Sequence, residues 1–183
     1  GVPQESTAIC MVGTVKGMKN PDTILRAVAN FSAQELEDIK PFILFAGGGD
    51  KLQEMKDLAK ELNIDKNVKL LGNVAKEKVN EIYKLSDIYV IASDYEGTSV
   101  SLLEAMYNKK PIIASKARGI VDMLTEGNNC LMFNTKNEIE LKEAVVRMAT
   151  DKQLAEELSN NAQKTYNEKY SYSNTIDEYK KYL

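Results

Sequence analysis

The chain of 183 residues carries 24 basic and 27 acidic side chains, for a net charge of −3, and it has no histidine. That length suits one domain, or one domain with a helical tail, and an apolar share of 43% is enough to build a core. The charge argues against a life on nucleic acid or anionic lipid, and the missing histidine removes Ser–His–Asp and Cys–His catalysis and most zinc sites.

Short apolar runs alternate with longer amphipathic stretches. Thr7–Val12 reads as a first strand, its near-continuous apolar character suiting burial on both faces. The loop after it, Gly13-Thr14-Val15-Lys16-Gly17-Met18-Lys19, runs into Asn20-Pro21-Asp22. These three read as N-cap, first helical residue and first-turn acid of a helix holding Ile24, Leu25 and Val28. Glycines that admit a ligand, a helix start with N–H groups to offer and two lysines make an anion site. A flexible turn with solvated lysines accounts for the same residues. The loop is neither a P-loop, lacking Gly-Lys-Ser/Thr, nor a dinucleotide fingerprint, lacking G-x-G-x-x-G.

Pro41–Ala46 reads as the second strand. Gly47-Gly48-Gly49 then leads to Asp50, an N-cap for a helix with Leu52, Met55, Leu58, Ala59 and Leu62; the glycines serve either turn geometry or a ligand. Val68–Leu71 is the third strand, and the short loop Gly72-Asn73-Val74 offers backbone groups against which a base can lie. A helix with Val79, Ile82, Tyr83 and Leu85 precedes the fourth strand, Ile88–Ala92. Further strands are expected at Pro111–Ala114 and Cys130–Phe133, with a short helix near Ile120–Leu124 and a long one over Glu138–Ala149.

Repeated strand–helix alternation implies a parallel sheet with right-handed crossovers. The expected fold is therefore α/β, a Rossmann-like doubly wound sheet of about six strands with a helical C-terminal tail. Residues 1–150 form the ligand-binding domain and 151–183 the tail, two helical stretches broken near Ser171-Tyr172-Ser173. Tyr166, Tyr170, Tyr172, Tyr179 and Tyr182 give the tail an aromatic surface that packs on the domain or docks onto a neighbouring one. Cys10 and Cys130 lie in apolar runs and read as buried thiols of a reducing compartment. No run approaches about 18 apolar residues and no signal peptide opens the chain, so a cytoplasmic location is expected. The start, Gly1-Val2-Pro3 without Met, suggests a processed or excised piece.

Between the fourth and fifth strands stands SDYEGTSVSLLEAM, Ser93 to Met106, with Glu96 and Glu104 separated by seven residues. A helix beginning near Thr98 or Ser99 points its first N–H groups, with those of Gly97 and Val100, at the strand ends, where parallel α/β sheets bind ligands. At about 100° per residue Val100, Leu102, Leu103, Met106 and Tyr107 form one apolar arc, with Glu104 at its edge. There a carboxylate can accept two hydrogen bonds from a vicinal diol such as a ribose. Glu96, before the helix, can reach a sugar hydroxyl. Against this, Ser101-x-x-Glu104 also fits a capping box, and Glu96 a solvated loop acid.

These loops, in this order, resemble the donor-binding half of retaining GT-B glycosyltransferases of the large group 1, family four class. The matching pieces are VGTVKGMKN, FILFAGGGD, NVKLLGNV, IYKLSDIYVIASDYEGTSVSLLEAM, KKPIIASKARGIVDMLTEGNNCLMF and YSYSNTIDEY, nearly the whole chain. The E-x7-E pair is the specific part. The resemblance implies that Lys19 contacts the donor diphosphate, Glu104 holds the ribose and Glu96 lies near the sugar hydroxyls. The N–H groups of Gly97, Thr98, Ser99 and Val100 would run along sugar and phosphate, with Gly13 in the first glycine loop and Gly72-Asn73-Val74 beside the base. Thr14 stands where the family usually has arginine, which removes a delocalised cation from the diphosphate and leaves open whether Lys16 replaces it. Gly97-Thr98-Ser99 replaces the frequent Gly-Phe-Gly, Asp122 a common glutamate and Cys130 a common glycine.

The implied activity is transfer of a hexosyl group from a nucleotide-diphosphate sugar to an acceptor hydroxyl, without metal or other cofactor. The acceptor would be a sugar or lipid-linked, in surface polysaccharide synthesis. In the family an N-terminal half supplies the acceptor site and a histidine; without it weak donor binding and no turnover are expected, and any contact with the inner face of the membrane would run through that half. A GT-B epimerase or phosphorylase, and a non-catalytic module binding a nucleotide or partner, are the alternatives.

Overall fold

The computed structural model describes residues 2–171. Six strands, β1 (Thr7–Val12), β2 (Pro41–Ala46), β3 (Val68–Leu70), β4 (Ile88–Ile91), β5 (Ile112–Ser115) and β6 (Leu131–Phe133), form one sheet. All pairs are parallel and the order is β3-β2-β1-β4-β5-β6. The helices are α1 (Pro21–Ala29), α2 (Ala33–Ile39), α3 (Leu52–Glu61), α4 (Lys76–Leu85), α5 (Val100–Tyr107), α6 (Glu138–Thr150) and α7 (Lys152–Lys169). This is the expected Rossmann-like α/β architecture with a helical C-terminal portion.

Alternation along the strands feeds two cores, one on each side of the sheet. Ile9, Met11, Ile43, Phe45 and Val90 pack with Leu25 of α1, Met55 of α3 and Leu141 and Met148 of α6. Cys10, Leu44, Tyr89 and Ile91 face the opposite way, onto Tyr83 of α4, Leu102 and Met106 of α5 and Ala162 of α7. Burial on both faces is why β2, β4 and β5 read as near-continuous apolar runs rather than alternating ones, while β3 at the sheet edge exposes Lys69. Helix α7 is capped by Asp151, whose Oδ1 accepts from the Leu154 N–H at 2.9 Å. It lies on α5, where Tyr166 meets Tyr107 edge-on at 5.6 Å and Gln163 donates to the Tyr107 carbonyl at 2.9 Å.

Several elements depart from expectation. Helix α2 was not anticipated, although Ser32 and Glu35 form a complete capping box at its start; of its seven residues only Ile39 is buried, so it carries little apolar periodicity. Asp50 does not cap α3, which begins at Leu52 with no side-chain cap; the turn before it is pinned by the Lys51 N–H donating to Val15 O at 3.2 Å. Residues 119–123 are hydrogen-bonded turns rather than a helix, and Ile120, Met123 and Leu124 plug the core from them. The apolar arc of α5 is only half used: Leu102 and Met106 are fully buried, whereas Val100 and Tyr107 are 66% and 60% exposed. The second tail stretch, with Tyr172, Tyr179 and Tyr182, lies outside the described residues.

The order of strands places the ligand crevice. From β1 the chain winds outward through β2 and β3, then returns to lay β4 against the other side of β1. The loops leaving β1 and β4 thus diverge to opposite faces, opening a crevice at the carboxyl ends of these two strands.

Candidate functional site

At that crevice a 3-10 turn, Gly17–Lys19, carries Lys19 to the loop after β4. The Lys19 ammonium pairs with Glu96 Oε1, which also accepts from Ser93 Oγ at 2.5 Å. Ser93 is held in turn by the Ser115 hydroxyl, which donates to its carbonyl at 2.7 Å. Glu96 is 8% exposed and its N–H donates to the Arg118 carbonyl at 3.1 Å. Gly119, at φ +86°, lies so close that an added Cβ would sit 1.9 Å from the Glu96 carbonyl oxygen. Glu96 is therefore not a solvated loop acid.

Asn20 occupies the N-cap position of α1 but does not cap it. Its backbone is left-handed (φ 45°, ψ 52°), so the side chain does not fold back onto the first turn. Its amide instead crosses to the loop after β4, donating to Ala92 O at 2.9 Å and Asp94 Oδ1 at 2.8 Å. Asp94 Oδ2 pairs with Lys136 at 2.8 Å. Burial acts to raise the Asp94 carboxyl, but Lys136 and Asn20 outweigh it and hold the group below the usual carboxylate range.

Helix α5 begins four residues after Glu96, and its Ser101 lines one cavity with Lys19 and Glu96. Ser99 stands at its N-cap in extended conformation and makes no side-chain cap. Gly97, Thr98 and Val100 are exposed around it, and Ser99 is buried. Ser101 does not open a capping box with Glu104: it lies inside α5, its Oγ 3.0 Å from the Tyr89 hydroxyl and 3.3 Å from Ser99 Oγ. Opposite stands Gly13, where a Cβ would come no nearer than 4.0 Å to Ser101 Oγ. Gly13, Lys19, Tyr89, Ser93, Glu96 and Ser101 enclose a cavity of about 10 Å³, roughly room for one water.

One turn further along α5 is Glu104, half-buried. The Tyr83 hydroxyl donates to Ser101 O at 2.8 Å and approaches Glu104 Oε2 at 3.2 Å, tying the carboxylate to α4. Burial, with Tyr89 and Glu104 adding to it, pushes the Tyr83 hydroxyl far above the ordinary tyrosine range, so it stays a donor.

The other loops line the crevice less directly. The Val15 N–H donates to Gly48 O at 2.9 Å, and a Cβ at Gly49 would fall 2.1 Å from Val15 O. The glycine triplet after β2 thus serves close packing of two loops. Gly72, at φ +65°, bridges to Gly47, and the Asn73 side chain lies over Gly48, so Gly72-Asn73-Val74 joins the crevice through that triplet. Thr14 and Lys16 are exposed, and Lys16 has no ion pair among the described residues.

Sequence reasoning missed Ser93, Tyr83 and the Asn20–Asp94–Lys136 chain. Ser93 had a signal in the S-x-x-E spacing; the other contacts span distant loops and have none. Among the described residues no group of three or more His, Cys, Asp or Glu side chains is placed to hold a metal, and no helix is long and apolar enough to cross a membrane.

A parallel sheet whose switch point gathers a lysine, two acids and a helix start defines a class: the doubly wound α/β domains, whose ligand crevice lies at the carboxyl ends of the strands. The model of the family described as glycosyl transferases group 1 matches residues 1–165, and the chain belongs to that family. It is 30% identical over 178 residues to an uncharacterized glycosyltransferase of Methanocaldococcus jannaschii, covering 97% of this chain and 45% of that protein. The chain thus spans about half the length of such curated relatives. In fold it is similar to Alr3699/HepE of Anabaena, solved with UDP (TM-score 0.86, 20% identity, 98% of this chain and 50% of that one). It is also similar to the C-terminal domain of a group 1 glycosyltransferase, LpcC, of Francisella tularensis (TM-score 0.79, 22% identity, 91% and 87%).

Proposed function

We propose that the chain is the donor-binding domain of a retaining glycosyltransferase that moves a hexosyl group from a nucleotide-diphosphate sugar to an acceptor hydroxyl. The observation that carries this reading is the meeting of Lys19 and Glu96 at a cavity they share with Ser101 in the first turn of α5, a helix whose start has no side-chain cap. The structures of HepE with UDP and with UDP-glucose support the ligand class.

In this reading the diphosphate lies against the α5 start, along the N–H groups of Gly97 to Val100, with Lys19 beside it. When the bond to the anomeric carbon breaks, negative charge grows on the diphosphate. A fixed ammonium and oriented N–H groups then bind the transition state more strongly than the ground state. Glu96 accepts both of its bonds at Oε1, so Oε2, with no partner among the described residues, accepts from a sugar hydroxyl. Glu104, steadied by Tyr83, takes the ribose diol, and Gly72-Asn73-Val74 faces the base. No residue role in this scheme calls for a metal. The acceptor site belongs to a further domain, the chain alone has no turnover, and the pathway is surface polysaccharide synthesis at the cytoplasmic face of the membrane.

Titration with UDP, GDP and ADP, followed by NMR on the labelled chain, tests the reading. Shifts are expected at Lys19, Gly72 and Glu104, and Glu104→Ala should abolish those at the ribose end. Shifts that survive the substitution remove the ribose role. A chain unmoved by any of the three nucleotides is a non-catalytic module.

A further inference from the structure

Resting on the reading that Lys19 faces the donor diphosphate, we propose that Asn20 is a positioning residue that, through Asp94, sets the Lys19 ammonium at the site. Asn20 is 3% exposed and left-handed, a backbone state that costs any residue but glycine, although asparagine tolerates it best. A cap for α1 would not need this conformation, and Asn20 makes no cap bond. Both donors of its amide are spent on one loop, at Ala92 O and Asp94 Oδ1. That loop answers from the other side of the lysine: the Asp94 N–H donates to Met18 O at 2.9 Å. The residues immediately before and after Lys19 are thus both fastened to the segment that carries Glu96.

A lysine side chain has a flexible four-carbon stem, and its ammonium is no better placed than the backbone from which it hangs. Two ties, one on each side, remove that slack. Asp94 makes the second tie durable, because Lys136 holds its other oxygen and links the loop before α6 into the same chain of contacts. Three loops leaving three strands are joined this way, around a residue whose own side chain makes the ion pair.

The test uses the chain with UDP and uridine as probes, by calorimetry. Asn20→Gly removes the amide while glycine adopts the left-handed backbone freely. UDP affinity is expected to fall about five- to tenfold, with uridine affinity held within about twofold, since the nucleoside end is bound elsewhere. Asp94→Ala cuts the same tie from its exposed end and should give the same UDP-specific loss. Lys19→Ala should weaken UDP binding by roughly tenfold or more, and adding Asn20→Gly to it should cost nothing further. Equal losses for UDP and uridine, or additive effects in the double variant, overturn the proposal in favour of a merely structural asparagine. UDP affinity lost on Lys19→Ala but unchanged on Asn20→Gly overturns this inference and leaves the donor-site reading standing. A chain that takes up no UDP is titrated with GDP and guanosine and with ADP and adenosine; one that takes up none of the three nucleotides, or takes its nucleotide up unchanged after Lys19→Ala, overturns the donor-site reading and this inference together.

Discussion

The ammonium of Lys19 rests on the carboxylate of Glu96 although 77 residues separate them, and the pair spans the crevice between β1 and β4. Its side chains are 25% and 9% exposed, so water screens the lysine but hardly reaches the acid. The pair sets opposite charges side by side at the crevice, as the proposed donor would require for its phosphate and a sugar hydroxyl.

Removing the lysine leaves Glu96 buried beside Ser93 with its main counter-charge gone. Fully buried pairs lose about 3–5 kcal/mol when broken; the exposure of Lys19 reduces the expected loss to about 1–2 kcal/mol. Lys19→Ala should therefore lower the denaturation midpoint modestly. In the proposed two-domain transferase, turnover should fall by about 10²–10³ with little change in nucleoside affinity, as for other lost transition-state donors. Near-normal turnover would transfer the diphosphate role to Lys16.

At the other end of α5, Glu104 and Tyr83 separate direct from indirect contributions. Glu104→Ala deletes the charged acceptor proposed for the ribose, and uridine affinity should fall roughly tenfold or more. Tyr83→Phe keeps the carboxylate but releases one of its anchors and the Ser101 carbonyl, so a loss of about two- to threefold is expected together with about 1 kcal/mol of stability. Isothermal titration of both variants checks this ordering; equal effects would mean that Glu104 cannot take the ligand at all without the buried Tyr83 hydroxyl.

How much of this was legible depended on the range of each interaction. The strands were, because burial on both faces leaves a near-continuous apolar run for all but β3, an edge strand in which Lys69 is exposed. Lys19, Glu96 and Glu104 could each be picked out from a neighbouring glycine or helix start, but only the strand order β1-β4 brings the first two into contact. The Asn20 amide looked like a cap, since nothing within a few residues shows that its partners lie 72 and 74 residues away. Helix α2 escaped for the opposite reason: its cap was plain in Ser32 and Glu35, but a single buried side chain gave no apolar stripe. Turns at residues 119–123 passed for a helix because their buried apolar residues happen to recur at helical spacing.

Two glycines that both have positive φ should respond very differently to one methyl group. Gly119 (φ +86°) faces the Glu96 carbonyl at a distance no Cβ can keep, whereas Gly127 (φ +70°) has nothing within 4 Å of an added Cβ. Gly127→Ala should cost about 1 kcal/mol, the left-handed penalty alone. For Gly119→Ala a clash adds to that penalty, and roughly 2–3 kcal/mol is expected, with a weakened donor site because the displaced backbone is that of Glu96. Chemical denaturation and UDP binding, measured on both variants, separate the two contributions. Matching losses in the pair would mean that the Glu96 loop yields without cost.

Both thiols belong to the core and should behave accordingly. Burial pushes Cys10 up to about 11 from an ordinary 9.0, against opposing pulls from Ser86 and the charge of Lys110. Burial, with the charge of Glu126 adding to it, takes Cys130 to about 12. The thiolate is the reactive form, so near pH 8 the native chain should consume almost no Ellman reagent, and two equivalents only after unfolding. The same shifts bear on stability. A folded-state value above the unfolded one means the unfolded chain loses these protons first, so the stabilisation is complete below about pH 9 and is lost as the pH climbs through 11 to 12. Replacing Cys10 by alanine should remove part of that alkaline slope while opening a small cavity under β1. A native chain that reacts rapidly at pH 8 would mean that the sheet opens around Cys10 or Cys130 far more often than its packing implies.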